Sequence, residues 1–396
     1  MAKLIDITGK ALSGEWGNDD ENGNGIPVLR TTNFTNIGVV NYSNIITRDI
    51  RKSNLSEKYL RKGDIIIEKS GGSDTQPVGR VIYFEGEEHK YLFNNFTGLL
   101  RVKDSTVCFP KYLFYSLFYN YQRGGTIPFQ NKTTGLHNLK TDDYVKSCDI
   151  PLPPLETQRK IATNLDKVTN LIHTCNAILE KLDLLVKSRF VEMFGDTEVN
   201  SNNHPIHKLS DLCTVSSSKR IYQEEQSSSG VPFLRISNLV ELIDNDRFGS
   251  ELFIPEEKYN ELLENGLVPK PNDILVTSRG TLGKCYIIQE HDKFYFQDGM
   301  ISWLYDIDKS ISPLYLTLLF DTRDIKRQIE NLQSGSTVAY LSIAMLKKLN
   351  IVVPPLALQQ QFAAFVEEID KSKLAVKNVL EKAETLKKAL MQEYFG

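Results

Sequence analysis

The sequence predicts an α+β protein: two similar mixed α/β domains separated by a pair of long antiparallel coiled-coil helices, approximately two-fold symmetric. Three observations carry this. The stretch IPLPPLETQRKIA at 150–162 returns as IVVPPLALQQQFA at 351–363. Pro154 answers Pro355, an offset of 355 − 154 = 201, and the match runs without a gap to Phe194-Gly195 and Phe395-Gly396. Apolar residues downstream of each proline pair recur in steps of four and three, while the segments upstream read as short strands and turns. Solenoid repeats run roughly 20–50 residues, so a period near 200 marks a duplicated domain.

Taken in chain order, residues 1–150 form the first globular part and 196–350 the second. KLIDI at 3–7 answers KLSDL at 208–212, and IPVLRTTNF at 26–34 answers VPFLRISNL at 231–239. RKGDIII at 61–67 answers KPNDILV at 270–276, each a strand entered from a Gly-Asp or Asn-Asp turn. PKYLFYSLF at 110–118 answers PLYLTLLF at 313–320, each a helix begun at proline.

Residues 151–195 and 351–396 form the helical regions. The first places Ile161, Leu165, Val168, Ile172, Cys175, Leu179, Leu182 and Val186 on one seam. The second places Phe362, Val366, Ile369, Val376, Leu380, Ala383 and Leu390 there, with Lys373 and Lys387 interrupting. A 4-3 seam of this length suits two helices pairing with each other. With Ile161 set opposite Tyr394, Lys373 is expected near Glu180 and Asp183, and Lys387 near Asp166.

Bulk composition narrows the function. The chain has 396 residues, 41% hydrophobic and 24% charged, and a net charge of −3. No apolar run reaches the roughly 18–20 residues of a membrane span, and the start lacks a secretory core. Five scattered cysteines, none spaced as CxxC, predict free thiols in a reducing cytoplasm. GxGxxG, P-loop, GxSxG and HExxH motifs are all missing. Asp64, Glu68 and Lys69 in GDIIIEK resemble a carboxylate cluster, but the second copy keeps only the aspartate, so a turn-to-strand role accounts for both. His204 and His207 read as linker. No catalytic residue and no metal ligand is assigned.

What remains is recognition. Loops rich in groups that reach phosphates and base edges recur at matching places. In the first half the candidates are Arg30, Thr31, Thr32, Asn33, Lys69, Ser70, Arg80, Thr126, Gln130, Asn131 and Lys132. In the second they are Arg235, Ser237, Asn238, Ser278, Arg279, Thr281, Lys284, Ser334, Ser336 and Thr337. Arg can fork onto guanine, and Asn or Gln onto adenine. A protein-binding scaffold with the same helices and no DNA specificity is the competing reading.

The alternation of two variable parts with PLPPLETQRKI and VPPLALQQQF, together with LRTTNF/LRISNL and GDIII/NDILV, resembles the specificity subunit of type I restriction–modification enzymes over the whole chain. The resemblance implies a non-catalytic reader of double-stranded DNA with two target-recognition domains, each taking half of a split sequence. It implies two copies of an adenine methyltransferase as partners, bringing S-adenosylmethionine. Restriction subunits using ATP and magnesium can join that complex; the chain itself binds no cofactor. Each helix of about 35 residues would span roughly 50 Å at 1.5 Å per residue and set the unread spacer.

Overall fold

The computed structural model describes residues 1–52, 54–73, 75–133, 136–333 and 339–396. The chain divides into two compact units, residues 1–177 with 376–396 and residues 178–375. The division runs through both long helices, Leu155–Phe194 and Leu356–Phe395. It does so because each unit takes one end of either helix into its core.

In the first unit a four-stranded antiparallel sheet has the order Leu12–Ser13, Thr97–Leu100, Ile65–Glu68, Val81–Tyr83. The III run is flanked on both sides, with Ile66 opposite Leu99 and Ile82. Successive side chains on a strand point to opposite faces. Ile65 and Ile67 therefore join the core under the helix Pro110–Gln122, while Ile66 joins Ile82, Phe93 and Leu99 on the other side. Both faces are covered, which is why this strand reads as a continuous apolar run. A second sheet holds Asn18–Asp19, Ile46–Asp49, Ile26–Leu29 and Leu92–Phe93, the last two parallel with Leu29 beside Phe93. A third joins Gln130–Thr133, Leu136–Leu139 and Ser70–Gly72.

The second unit repeats the plan. Its four-stranded sheet runs Thr214–Ser217, Ile301–Tyr305, Ile274–Thr277, Cys285–Ile287. Ile274 and Val276 face the core under helix Pro313–Phe320, and Leu275 faces the opposite one. Val231–Leu234 and Tyr295–Phe296 form the parallel pair, with Leu234 beside Phe296. Both units close with a short antiparallel pair ahead of the long helix: Ala2 opposite Ile150, and Ile206 opposite Val352. The helices Ile236–Asn245 and Glu256–Glu264 occupy a stretch that in the first unit holds loops and the strand Ile46–Asp49.

The long helices pair antiparallel. In the second unit Phe190 and Phe194 lie 5.6 and 5.3 Å from Phe362, and Val186 shares a core with Val366 and Ile369. Further from that aromatic cluster, Lys373 Nζ reaches Asp183 at 2.7 Å, so one helix number falls as the other rises. In the first unit Ile161, Ala162 and Leu165 share a core with Met391 and Phe395. Val168, Cys175 and Ala383 are buried; Ile172, Leu179, Leu182, Val376, Leu380 and Leu390 are half-buried. Lys387 does not bond Asp166. Its ammonium lies 5.8 Å from the Phe118 ring, and burial draws its pKa below the usual lysine value against the pull of Asp166. Asp166 accepts instead from the Tyr115 hydroxyl at 2.5 Å and lies 3.6 Å from Lys111 Nζ, which satisfies the carboxylate without Lys387.

Candidate nucleic-acid interface

Each unit gathers its polar loops around the carboxyl end of its parallel strand pair. Leu29 is followed by Arg30 and Phe93 by Asn94, whose N–H donates to Leu29 O at 2.9 Å. In the second unit Leu234 is followed by Arg235 and Phe296 by Gln297, whose N–H donates to Leu234 O at 2.9 Å. An arginine and a carboxamide residue thus follow adjacent strand ends in both units. Asn94 and Gln297 escaped the sequence reading; the matching LF-Asn and YF-Gln positions were the available signal.

The loop after each arginine is shaped from within. Arg30 N–H donates to Asn33 Oδ1 and Arg235 N–H to Asn238 Oδ1, both at 2.9 Å. The other end of each amide is also committed, Asn33 to Asn41 O and Asn238 to Gly249 O. Asn33 is buried, so it builds the loop and does not offer its amide outward.

Arg80 is a clamp. Its guanidinium grips Glu68 through Nε–Oε2 at 3.0 Å and Nη2–Oε1 at 2.8 Å, and also reaches the carbonyls of Thr31 and Phe34. The first and second candidate loops of this unit are thereby tied together. Glu68 and Asp64 are both buried and both hold arginines, Asp64 taking Arg101 at 2.6 Å, which accounts for the paired carboxylates of GDIIIEK. Among the described residues no group of three or more His, Cys, Asp or Glu is placed to hold a metal.

Several other candidates are likewise spent on structure. Thr126 is buried and donates to Val78 O at 2.8 Å; Gln130 bonds Val78 O and His137. Ser278 is buried against Ser302, their hydroxyls 2.7 Å apart. Lys284 is paired with Asp244. Thr32, Asn131, Arg235, Ser237, Arg279 and Thr281 are exposed, and Arg30, Thr31, Lys69 and Ser70 half-buried. Arg279 lies 5.1 Å from the Tyr340 ring. Lys69 donates to Ser13 Oγ at 3.1 Å, and burial lowers its pKa. The Lys132 side chain and Ser334, Ser336 and Thr337 lie outside the described residues. The exposed candidates are thus Thr32 and Asn131 in the first unit and Arg235, Ser237, Arg279 and Thr281 in the second, while Arg30 and Lys69 are partly spent on Asn44 O and Ser13 Oγ.

The helices present a second surface. Ile178 and Leu185 on the first are 38% and 47% exposed, and Val379 and Leu386 on the second 44% and 49%. These are the same positions of the repeat: 178 + 201 = 379 and 185 + 201 = 386. Residues seven apart share a helix face, so each unit carries one copy of an equivalent apolar pair flanking the seam. No helix among the described residues is long and apolar enough to cross a membrane.

Comparison with known proteins agrees with this geometry. A Methanocaldococcus jannaschii protein, the type I restriction enzyme MjaVIII specificity subunit, is 27% identical over 301 residues, covering 71% of this chain and 68% of its own. A Haemophilus influenzae relative is 26% identical over 237 residues; the chain spans 58% of its length, and the match covers 58% of this chain. The crystal structure of a type I restriction–modification S subunit from M. genitalium has the same fold, with a TM-score of 0.62 at 15% identity over 100% of this chain and 95% of the other. The family model for the type I restriction modification DNA specificity domain matches twice, at residues 2–184 and 204–386. The chain therefore belongs to the type I restriction–modification DNA specificity family.

Proposed function

We propose that this chain reads a split DNA sequence, one half by each unit, and carries no active centre of its own. The observation that bears most weight is the contrast between the repeats. Both units build the same bracket of loops at the end of a parallel strand pair, yet the residues that follow the two strands are the half-buried Arg30 and the buried Asn94 in one and the exposed Arg235 and half-buried Gln297 in the other. Arginine and carboxamides are the side chains that fork onto guanine and adenine edges. A shared frame with different tips is what two unlike half-sites require.

The helices differ less because they serve one partner twice. The apolar pairs Ile178/Leu185 and Val379/Leu386 offer two equivalent docking places, which suits two copies of an adenine methyltransferase that brings S-adenosylmethionine. ATP- and magnesium-dependent restriction subunits would join through that complex. The helices then fix the unread spacer between half-sites. With a net charge of −3, the chain alone is expected to bind DNA weakly, much of the phosphate neutralisation coming from the partner.

Methylome sequencing of the source cells with and without the gene tests this. A gapped adenine-methylation motif should be present in the first and missing in the second. An unchanged methylome would refute the proposal.

A further inference from the structure

We infer that Phe96 makes an apolar contact with DNA bases and serves as a specificity-determining residue of the first unit. This rests on the DNA-reading function proposed above. Phe96 sits on the four-residue turn Asn94–Thr97 between the strands Leu92–Phe93 and Thr97–Leu100, and it is 52% exposed. The turn is held at every corner. Asn94 N–H is tied to Leu29 O, and Thr97 returns both its N–H and its hydroxyl to Asn94 O, at 3.1 and 2.8 Å. The Phe96 carbonyl accepts from Lys69 N–H at 2.8 Å and from Ser70 N–H at 3.3 Å. The turn that carries the ring is therefore fixed on two sides, by the end of the Leu29 strand that Arg30 follows and by the N–H groups of Lys69 and Ser70.

Isolated exposed apolar residues are ordinary, but this one lies on a turn beside two polar atoms with no partner, although Arg30 Nη2 donates to Asn44 O at 3.2 Å. Asn94 Oδ1 and Arg30 Nε are both buried without a hydrogen-bond partner. An exposed aromatic on a fixed turn suits a duplex, which offers apolar base faces and thymine methyls within its grooves. The corresponding turn of the second unit does not present an aromatic. There the carbonyl that accepts from Ser278 N–H, at 2.8 Å, belongs to Met300, which is half-buried and follows Gly299. The inference is thus asymmetric: the contact belongs to one half-site only.

The test uses the chain in complex with its methyltransferase and a duplex of about 35 base pairs carrying the methylated motif. Phe96→Ala should weaken binding about ten- to hundred-fold, the range of one base–aromatic contact. The slope of affinity against salt should not change, because an apolar contact releases no counterions. Phe96→Leu should recover part of the loss. Scrambling one half-site, and not the other, should abolish the difference between wild type and Phe96→Ala. Equal binding of both proteins to the intact duplex overturns the inference and leaves the DNA-reading function standing. So does a penalty that persists whichever half is scrambled. Wild-type complex that shows no preference for the motif overturns both.

Discussion

Gln158 Oε1 accepts the backbone N–H of Phe109 at 2.9 Å, and its amide donates to Val107 O and Pro153 O. Gln359 does the same in the second unit, taking Ser312 N–H at 2.8 Å and giving to Ser310 O and Pro354 O. Phe109 and Ser312 each precede a proline that begins a helix. One buried glutamine thus locks the first turn of the long helix to the start of the domain helix and to the proline pair before it. The PPLxxQ phrase recurs because its final residue closes this three-way joint.

Replacing Gln158 by Leu would leave one donor and two acceptors buried without partners. Each such group costs about 1–3 kcal/mol, so a loss of roughly 2–4 kcal/mol is expected after partial relaxation. Gln359→Leu should cost the second unit as much. Hydrogen exchange separates the two, since each variant should lose protection chiefly in its own unit. A loss below about 1 kcal/mol in both would mean that water or neighbouring groups replace the amide.

The pairing of Lys373 with Asp183 fixes the helix register. The lysine is mostly covered while the aspartate is 63% exposed, so the pair is worth only about 0.2–1 kcal/mol. Lys373→Glu should lower the midpoint of unfolding slightly, and Lys373→Glu with Asp183→Lys should restore it. The same exchange at Lys387 and Asp166 should restore nothing, because Tyr115 and Lys111 hold that aspartate. Recovery at the second site and none at the first would indicate a shifted register.

The duplication, the helix seam and the buried central strands were legible because they follow from spacing. Period 2 places Ile66 apart from Ile65 and Ile67, and the 4-3 rhythm brings Phe362 to Phe190. The fate of individual polar side chains was not legible. Arg80 and Arg30 look alike in sequence, and only the buried Glu68 two strands away in the chain decides that Arg80 becomes a clamp. Thr126 and Ser278 look like loop residues and are core hydroxyls, because their partners, Val78 O and Ser302, come from distant segments. Phe96 was missed for the converse reason, since an aromatic in a strand-like run reads as core until the turn throws it outward.

Asp273 occupies the place of Asp64 but has no arginine. Its carboxylate accepts from Lys270 N–H at 2.8 Å and from the Trp303 indole at 2.9 Å. Burial, the largest cause, raises its pKa above the ordinary aspartate value, and Asp306 adds to this against Lys270. The raised folded pKa means that protonation favours the fold. Its contribution is full below the unfolded value near 3.9 and is lost as pH rises through the folded pKa. Asp273→Asn keeps an acceptor without the charge, so it should raise the melting temperature at neutral pH. That advantage should shrink as the solution is acidified below the carboxylate range. A variant less stable than wild type at pH 7 would show that the ionised form is the better partner for Trp303.

Leu185 and Leu386 are the most exposed members of the repeated apolar pairs and lie outside the seam. Changing either to Glu removes an exposed side chain from water-facing surface, so folding should be within about 0.5 kcal/mol of wild type. Docking is another matter, since a charge at the centre of an apolar contact must be desolvated there. Native mass spectrometry of the complex should then find one methyltransferase copy bound to either single variant and none to the double variant. The equivalent repeat positions predict that the two single variants behave alike. Full occupancy by two copies in the double variant would move the docking surface elsewhere on the helices and leave these leucines without a partner.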